Sequence, residues 1–399
     1  MFTRRCIVGQ DCAPPGSCAS AAPLKTRDLR APENAFAGRI PGASAASRPE
    51  NRKVRFAKRT RAASGNLRSL LTAIVLLCLT CFIAPSQRGG GPAGRLREVT
   101  ITEIPGVIAS GASWTLVWQG IDNADGIVGT ADGGLLFAQE QPSQVSKLDS
   151  LGRVSVLFKD THGTGALTVD SKGRIFGVER TCTDPGKDPG GCKEPTAVAE
   201  LSPDRRILAD NIDGKSLGRL NDLIADSKGG FYFNGAALFY LNAAGKVSTI
   251  GENIRTNGIT LSPDEKTLFV TNGGEIVAFD VQPDGSVRNQ RVFGTLEAGT
   301  TGGAGDGMTI DSAGRIYVTT GPGVQVLSPE GKYLGLIPTP RGVISIAFSG
   351  PGRKTLYVVG GGALGSDGRE IATPPGVRNN AKSIFRISLI AAGFGGRVK

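Results

Sequence analysis

The chain has 399 residues, of which 39% are hydrophobic and 20% charged, enough apolar material for a large globular domain. Its 58 glycines and 23 prolines show no three-residue period, which excludes collagen and indicates a turn-rich β protein. The net charge of +11 would suit a nucleic-acid-binding protein, but residues 1–97 hold 17 Lys and Arg against 4 Asp and Glu. Because the remainder is nearly neutral, we expect no nucleic-acid partner.

The N-terminal part divides into three predicted segments. Residues 1–68 are rich in Ala, Ser, Pro and Arg and are predicted to be a disordered basic tail. The uncharged apolar segment 69–87 is short for a membrane span of about 20 residues and typical of a signal-peptide core, with cleavage expected before Gln87. An uncleaved membrane anchor is the alternative. Either interpretation places the linker 88–97 and the domain 98–399 outside the cytoplasm, in the periplasm or the medium.

The start of translation is open. Seventy residues ahead of an apolar core is unusual for a bacterial signal peptide. A start at Val54 gives a compact basic segment followed directly by that core. We therefore expect residues 1–53 to be a misassigned extension.

Two of the seven cysteines belong to the predicted domain. Cys182 and Cys192 close a short loop, CTDPGKDPGGC, with no further Cys or His nearby to complete a zinc site. A disulfide in an oxidising compartment is the expected state, and two free thiols are the alternative. The charged residues Arg180, Lys187 and Lys193 flank or lie in this loop and are interpreted as solvated.

One unit, an apolar strand, a polar turn and a second apolar strand, recurs six times. The copies begin at residues 126, 166, 222, 258, 307 and 344, and a second hairpin follows each of them. Two hairpins make a four-stranded sheet, so the pattern predicts an all-β, six-bladed β-propeller with antiparallel blades. A parallel β-solenoid is the alternative. The early segment 98–104, EVTITEI, is predicted to pair with the last hairpin and close the ring.

A short oxygen-bearing side chain precedes the first strand of four blades at the same offset from the turn. We call these four the channel residues: Asp125, Asn221, Asn257 and Asp306. Because equivalent positions of a propeller face one another around the central channel, these side chains are expected to converge. Two carboxylates and two carboxamides suit a hard divalent ion such as Ca²⁺, Mg²⁺ or Mn²⁺. Turn capping by Asn and Asp is the structural alternative.

The strings GRLNDLIADSKGGFYF, RTNGITLSPDEKTLFVTN and GDGMTIDSAGRIYV resemble the senescence-marker-protein (regucalcin)/gluconolactonase family of six-bladed propellers. The resemblance covers residues 120–390. It implies one divalent ion held by Asp125, Asn257 and Asp306; Ca²⁺ is the expected ion, and Mg²⁺, Mn²⁺ or Zn²⁺ are the alternatives. It also implies that Arg219 and Asn221 contact the substrate. The family usually has Glu-Gly-Pro where this chain has Asp125-Gly126-Ile127, so the ligand from blade one is one methylene shorter.

The resemblance implies hydrolysis of a small-molecule lactone similar to a sugar aldonolactone, with Asp306 as general base beside the metal-bound water. Glu140 and Glu179 follow blade strands and are candidate supports of the site. A single histidine, His162, excludes a catalytic His pair. The alternative function is a non-catalytic propeller that binds a ligand or protein and keeps a structural metal. Membrane contact is expected only through an uncleaved N-terminal segment, and the sequence leaves the oligomeric state open.

Overall fold

A computed structural model describes residues 95–180, 195–297, 304–374 and 379–396. The predictions for the tail, the apolar segment and the start codon lie outside these ranges, as does the disulfide between Cys182 and Cys192. They therefore stay predictions. Within the described ranges, no helix has the length and apolar character needed to cross a membrane.

Twenty-four of the strands form six four-stranded antiparallel sheets, as predicted for a six-bladed propeller. After the early strand β1 (Thr115–Gly120), blade one consists of β2 (Ile127–Gly129), β3 (Leu135–Gln139), β4 (Gln144–Leu148) and β5 (Val154–Lys159). Blade two consists of β6 (Thr164–Val169), β7 (Ile175–Glu179), β8 (Ala197–Glu200) and β9 (Arg206–Ala209). Blade three follows the small hairpin of β10 (Asn211–Ile212) and β11 (Lys215–Ser216) and consists of β12 (Leu223–Ala225), β13 (Phe231–Asn234), β14 (Leu238–Leu241) and β15 (Val247–Ile250).

The strands of the other three blades are β16 (Ile259–Leu261), β17 (Thr267–Asn272), β18 (Glu275–Val281) and β19 (Val287–Thr295); β20 (Met308–Ile310), β21 (Ile316–Thr319), β22 (Gly323–Leu327) and β23 (Tyr333–Pro338); and β24 (Val343–Ser349), β25 (Thr355–Gly361) and β26 (Lys382–Ser388), which β1 completes. A 3-10 turn, Pro351–Arg353, lies between β24 and β25. The fold class predicted from the repeats is confirmed.

The inner hairpins turn on a short Asp-containing motif. In blade three, Asp226 Oδ1 accepts hydrogen bonds from the backbone N–H groups of Lys228 (2.9 Å) and Gly230 (2.7 Å). Gly229 has a φ of 86°, a conformation that glycine adopts without steric cost. The strings DSKG and DSAG in the sequence therefore fix the turns between the first two strands of blades two, three and five.

The hydrophobic core is divided into six clusters, one between each pair of neighbouring blades. Aromatic pairs bridge several of these interfaces: Phe176 and Phe231 have ring centroids 4.6 Å apart, and Tyr317 and Phe348 meet edge to face at 5.0 Å. Such pairs stabilise by area burial and by favourable ring geometry. Each blade thus has a neighbour on both faces, which holds the inner strands close around the channel.

The strand that closes the ring differs from the one predicted. β1 (Thr115–Gly120) pairs with β26 and completes blade six, whereas 98–104 forms no strand and contributes Ile101 and Ile104 to the cluster between blades five and six. The prediction was wrong because an alternating pattern indicates a strand but does not show which of two such segments pairs with the last blade. β1 leads into the first strand of blade one after six residues, the short connection that ring closure requires.

Candidate functional site

All four channel residues reach one cavity at the centre of the ring. Asp125, Asn221, Asn257 and Asp306 line this space of about 30 Å³, together with the backbone of the first strands. A volume of this size has room for about two water molecules or one small ion. This space is smaller than a sugar ring.

Glycine follows three of the channel residues because the inner strands of neighbouring blades approach closely there. The backbone N–H of Gly126 donates to Gly165 O at 2.8 Å, and that of Gly307 donates to Ile344 O at 2.9 Å. A Cβ atom at Gly258 would lie 2.2 Å from the carbonyl oxygen of Asp306. Because glycine has no Cβ atom, the first strands of neighbouring blades can approach this closely at the channel.

Gly258→Ala is expected to lower the free energy of unfolding by about 1–3 kcal/mol, since the added methyl group meets rigid backbone rather than a flexible side chain. Urea-induced unfolding measures the change. The matched control is Gly361→Ala in β25, where a Cβ atom finds no heavy atom within 4 Å. Equal losses in the two variants would contradict the explanation.

Polar residues at the ends of second strands hold the channel residues in place. Asn234, at the end of β13, donates from Nδ2 to the backbone carbonyl of Asn257 at 2.6 Å and accepts at Oδ1 from the N–H of Asp222 at 2.9 Å. Thr271 Oγ1 accepts from the N–H groups of Asn257 (3.0 Å) and Gly258 (2.8 Å). Neither Asn234 nor Thr271 was predicted from the sequence, although a polar residue at the end of an apolar strand was the available signal.

Arg180 was interpreted as a solvated charge, and this was wrong. Its side chain is only 2% exposed and lines the central cavity. Nη1 donates to Asp125 Oδ2 at 2.7 Å, and Nε donates to the carbonyl oxygen of Leu220 at 2.8 Å. Its place beside a basic loop favoured a solvated side chain, but Arg180 points inward because acceptors on blades one and three satisfy its guanidinium.

The acidic neighbours keep Arg180 charged. Burial lowers the pKa of its guanidinium, but Asp125 and Glu140 outweigh that effect and raise the pKa overall. The side chain of Glu140 is 3% exposed. One of its carboxylate oxygens accepts a hydrogen bond from Arg180 Nη1 at 3.3 Å, and the other accepts one from Arg219 Nη2 at 2.8 Å. Glu140 therefore supports the site, as suggested, by linking two arginines.

The other candidate support, Glu179, has a different partner. Its two carboxylate oxygens accept from Arg205 Nε at 2.8 Å and Nη2 at 2.9 Å. Neither residue lines the central cavity. Arg219 also does not line the central cavity, and it is about one-third exposed beside Glu140.

Asn221 has its amide committed within the ring. Its Nδ2 group donates to Asn257 Oδ1, and its Oδ1 atom accepts from Arg180 Nη2 at 3.2 Å. In this arrangement Asn221 links Asn257 to Arg180. The substrate contacts predicted for Arg219 and Asn221 stay predictions.

The donors fit a hard divalent ion in chemical type. Asp125 and Asp306 supply carboxylate oxygens, Asn257 supplies a carboxamide oxygen, and the cavity accommodates one ion. Within the described part of the chain, no three His, Cys, Asp or Glu side chains form a group that could hold a metal. An ion at this place would therefore draw on the carboxamide as well as the two carboxylates.

The sequence model of the protein family described as the SMP-30/Gluconolactonase/LRE-like region matches residues 125–361, which include every channel residue. The chain belongs to this family. The resemblance carried by the three sequence strings is thereby confirmed, and the matched region extends from the channel residue of blade one to the second strand of blade six.

Several lactonases are similar to this family member. Pentonolactonase XacC of Haloferax volcanii is 31% identical over 205 residues, 48% of this chain and 68% of that protein. Gluconolactonase of Zymomonas mobilis is 24% identical over 294 residues, 63% of this chain and 77% of that protein. A solved gluconolactonase from Xanthomonas campestris has a TM-score of 0.57 at 21% identity and covers 76% of this chain and 99% of its own. At that identity the likeness supports the fold alone.

Proposed function

We propose that the protein is a metal-dependent lactonase that opens the ring of a small lactone similar to a sugar aldonolactone. The observation that carries the proposal is the convergence of Asp125, Asn257 and Asp306 on one ion-sized cavity in a chain of this family. The names of its curated relatives, a pentonolactonase and a gluconolactonase, support the substrate class. Ca²⁺ is the proposed ion, because it favours oxygen donors in flexible geometry.

In the proposed mechanism, Asp125, Asn257 and Asp306 would hold the ion, which when bound would supply Lewis acidity to the lactone carbonyl and lower the pKa of water. Asp306 accepts the proton of the attacking water at a carboxylate oxygen and returns it to the ring oxygen as the C–O bond of the lactone breaks, which gives the open-chain hydroxy acid. Because the cavity is small, the lactone ring stays above it, and only its carbonyl oxygen reaches inward. Arg219 lies at the exposed side of the site and orients the ring hydroxyls, and Asn221 holds Asn257 in position through its amide.

The test uses the full chain, purified and treated with a chelator. Hydrolysis of five- and six-membered aldonolactones is followed by proton release before and after adding Ca²⁺, Mg²⁺, Mn²⁺ or Zn²⁺. We expect turnover to vanish with the chelator and to return with at least one ion. Spontaneous hydrolysis without protein is the baseline.

Absence of turnover on every lactone with every ion would contradict the proposal. If an ion then still raised the melting temperature, a non-catalytic binding propeller with a structural metal would be the better description. That alternative has one structural observation in its favour, namely that Asp125 is already paired with Arg180.

A further inference from the structure

Arg180 enters the channel through a gap left by a glycine. It directly follows β7 in blade two, and its guanidinium passes over Gly165 in β6 of the same blade. A Cβ atom at Gly165 would lie 2.2 Å from Arg180 Cζ. Gly165 occupies the position that carries an oxygen-bearing residue in four other blades. Blade two therefore contributes a cation to the channel where those blades contribute an oxygen donor.

The guanidinium is fixed by acceptors on every side. Besides Asp125 and Glu140, it donates to two backbone carbonyls, those of Leu220 and Asn221, and to Asn221 Oδ1. These contacts use all three of its nitrogens. Because the side chain is 2% exposed, the positive charge cannot be screened by solvent as a surface charge would be.

The same contacts engage the donors of the proposed metal site. Asp125 is its ligand from blade one, and its Oδ2 atom already binds Arg180 at 2.7 Å. Asn257 Oδ1 accepts a hydrogen bond from Asn221, whose own Oδ1 binds Arg180. A divalent ion entering the cavity therefore meets a carboxylate that is already neutralised and a buried positive charge beside it.

We propose that Arg180 is an internal cation that competes with the divalent ion for Asp125 and thereby weakens its binding. This inference rests on the metal site of the proposed function. It assigns to Arg180 the role of a positioning residue that sets ion affinity. Asp125 alternates between the guanidinium and the ion, so the site remains neutralised when the ion leaves.

The decisive experiment is isothermal titration calorimetry of Ca²⁺ and Mn²⁺ into the chelator-treated full chain and into Arg180→Gln. We expect at least tenfold tighter binding of one or both ions by the variant, because Asp125 loses its competitor. The melting temperature without ion should fall, since Asp125 loses its counter-charge and Glu140 loses Arg180 but keeps Arg219. Saturating ion should raise it more in the variant than in the parent protein.

A second variant keeps the charge in the chain but displaces it. Gly165→Ala places a methyl group against the guanidinium and should also tighten ion binding. Arg205→Gln is the matched control, because it breaks an ion pair with the buried Glu179 that does not line the cavity. We expect the control to leave ion affinity unchanged.

Coupling to Asp125 separates competition from general repulsion. If Arg180 acts through this carboxylate, Arg180→Gln should change ion affinity less in an Asp125→Asn background than in the parent protein. Equal changes in both backgrounds would overturn competition for Asp125.

Two other results would also overturn the inference: unchanged or weaker ion binding by Arg180→Gln, and no ion binding by either protein. Ion affinity is measured without a lactone. Tighter ion binding without lactone hydrolysis would therefore sustain the inference and reject the proposed function. Lactone hydrolysis without this change in ion affinity would support the proposed function and reject the inference.

Discussion

Asp306→Asn is expected to lower lactone hydrolysis by about 10²- to 10⁴-fold, the usual contribution of a general base. The substitution is nearly isosteric, and the backbone N–H of residue 306 keeps its hydrogen bond to Thr319 O at 3.0 Å. The β-propeller should therefore keep its fold. Initial rates at several lactone concentrations, with the ion saturating, separate the loss in kcat from a change in KM. Circular dichroism and the melting temperature check the fold.

The control for Asp306 is Asp284→Asn, a change of the same chemistry in the exposed turn of an outer hairpin. Asp284 contacts Ser286 through local hydrogen bonds, so its variant should retain the parent rate. Full activity of Asp306→Asn on every lactone that the parent hydrolyses would reject the assignment of Asp306 as the base.

Asp311→Ala is expected to have the largest effect on stability, a loss of about 3–5 kcal/mol, as for a buried ion pair deprived of one partner. Asp311 is fully buried in the turn of blade five. Its Oδ1 accepts from two backbone N–H groups, and its Oδ2 accepts from Arg315 Nε at 2.6 Å and from the buried Tyr317 hydroxyl at 2.9 Å. The variant leaves these donors without an acceptor. Urea denaturation measures the loss.

Asp149→Ala tests the same turn at the surface. Asp149 accepts from the N–H groups of Leu151 and Arg153 in the same pattern, but the Arg153 side chain is 75% exposed. Water can replace the lost contacts there, so we expect a much smaller loss of stability. Comparable losses at the two turns would show that burial of Asp311 is not the cause.

Much of the fold could be predicted because the information is local. Asp-Ser-Lys-Gly between two apolar runs specifies a hairpin within four residues, and six spaced copies specify a ring. The convergence of Asp125, Asn257 and Asp306 was predictable for the same reason, since each occupies the same offset from its own turn. Because the blades are arranged in a ring, residues at the same position of each blade meet at the central cavity.

Arg180 and the closing strand could not be predicted because each depends on a contact between distant parts of the chain. Nothing near Arg180 in sequence indicates that Gly165 leaves space for its guanidinium or that Asp125, 55 residues earlier, accepts its hydrogen bond. Similarly, 98–104 and β1 both have strand-like composition. Only the distance to blade one, which the ring imposes, selects β1.

β1 and β26 form a clasp that closes the ring, and the channel residues, which are the proposed ion donors, lie in another part of the chain. Every channel residue lies between the start of blade one and the start of blade five, whereas the clasp uses only the first and last strands. A circularly permuted chain that carries β1 after β26 would make blade six contiguous in sequence and leave the channel residues in their order. Ring closure and the proposed ion binding therefore rely on different strands, and the pairing of β1 with β26 can be altered while the channel residues are kept.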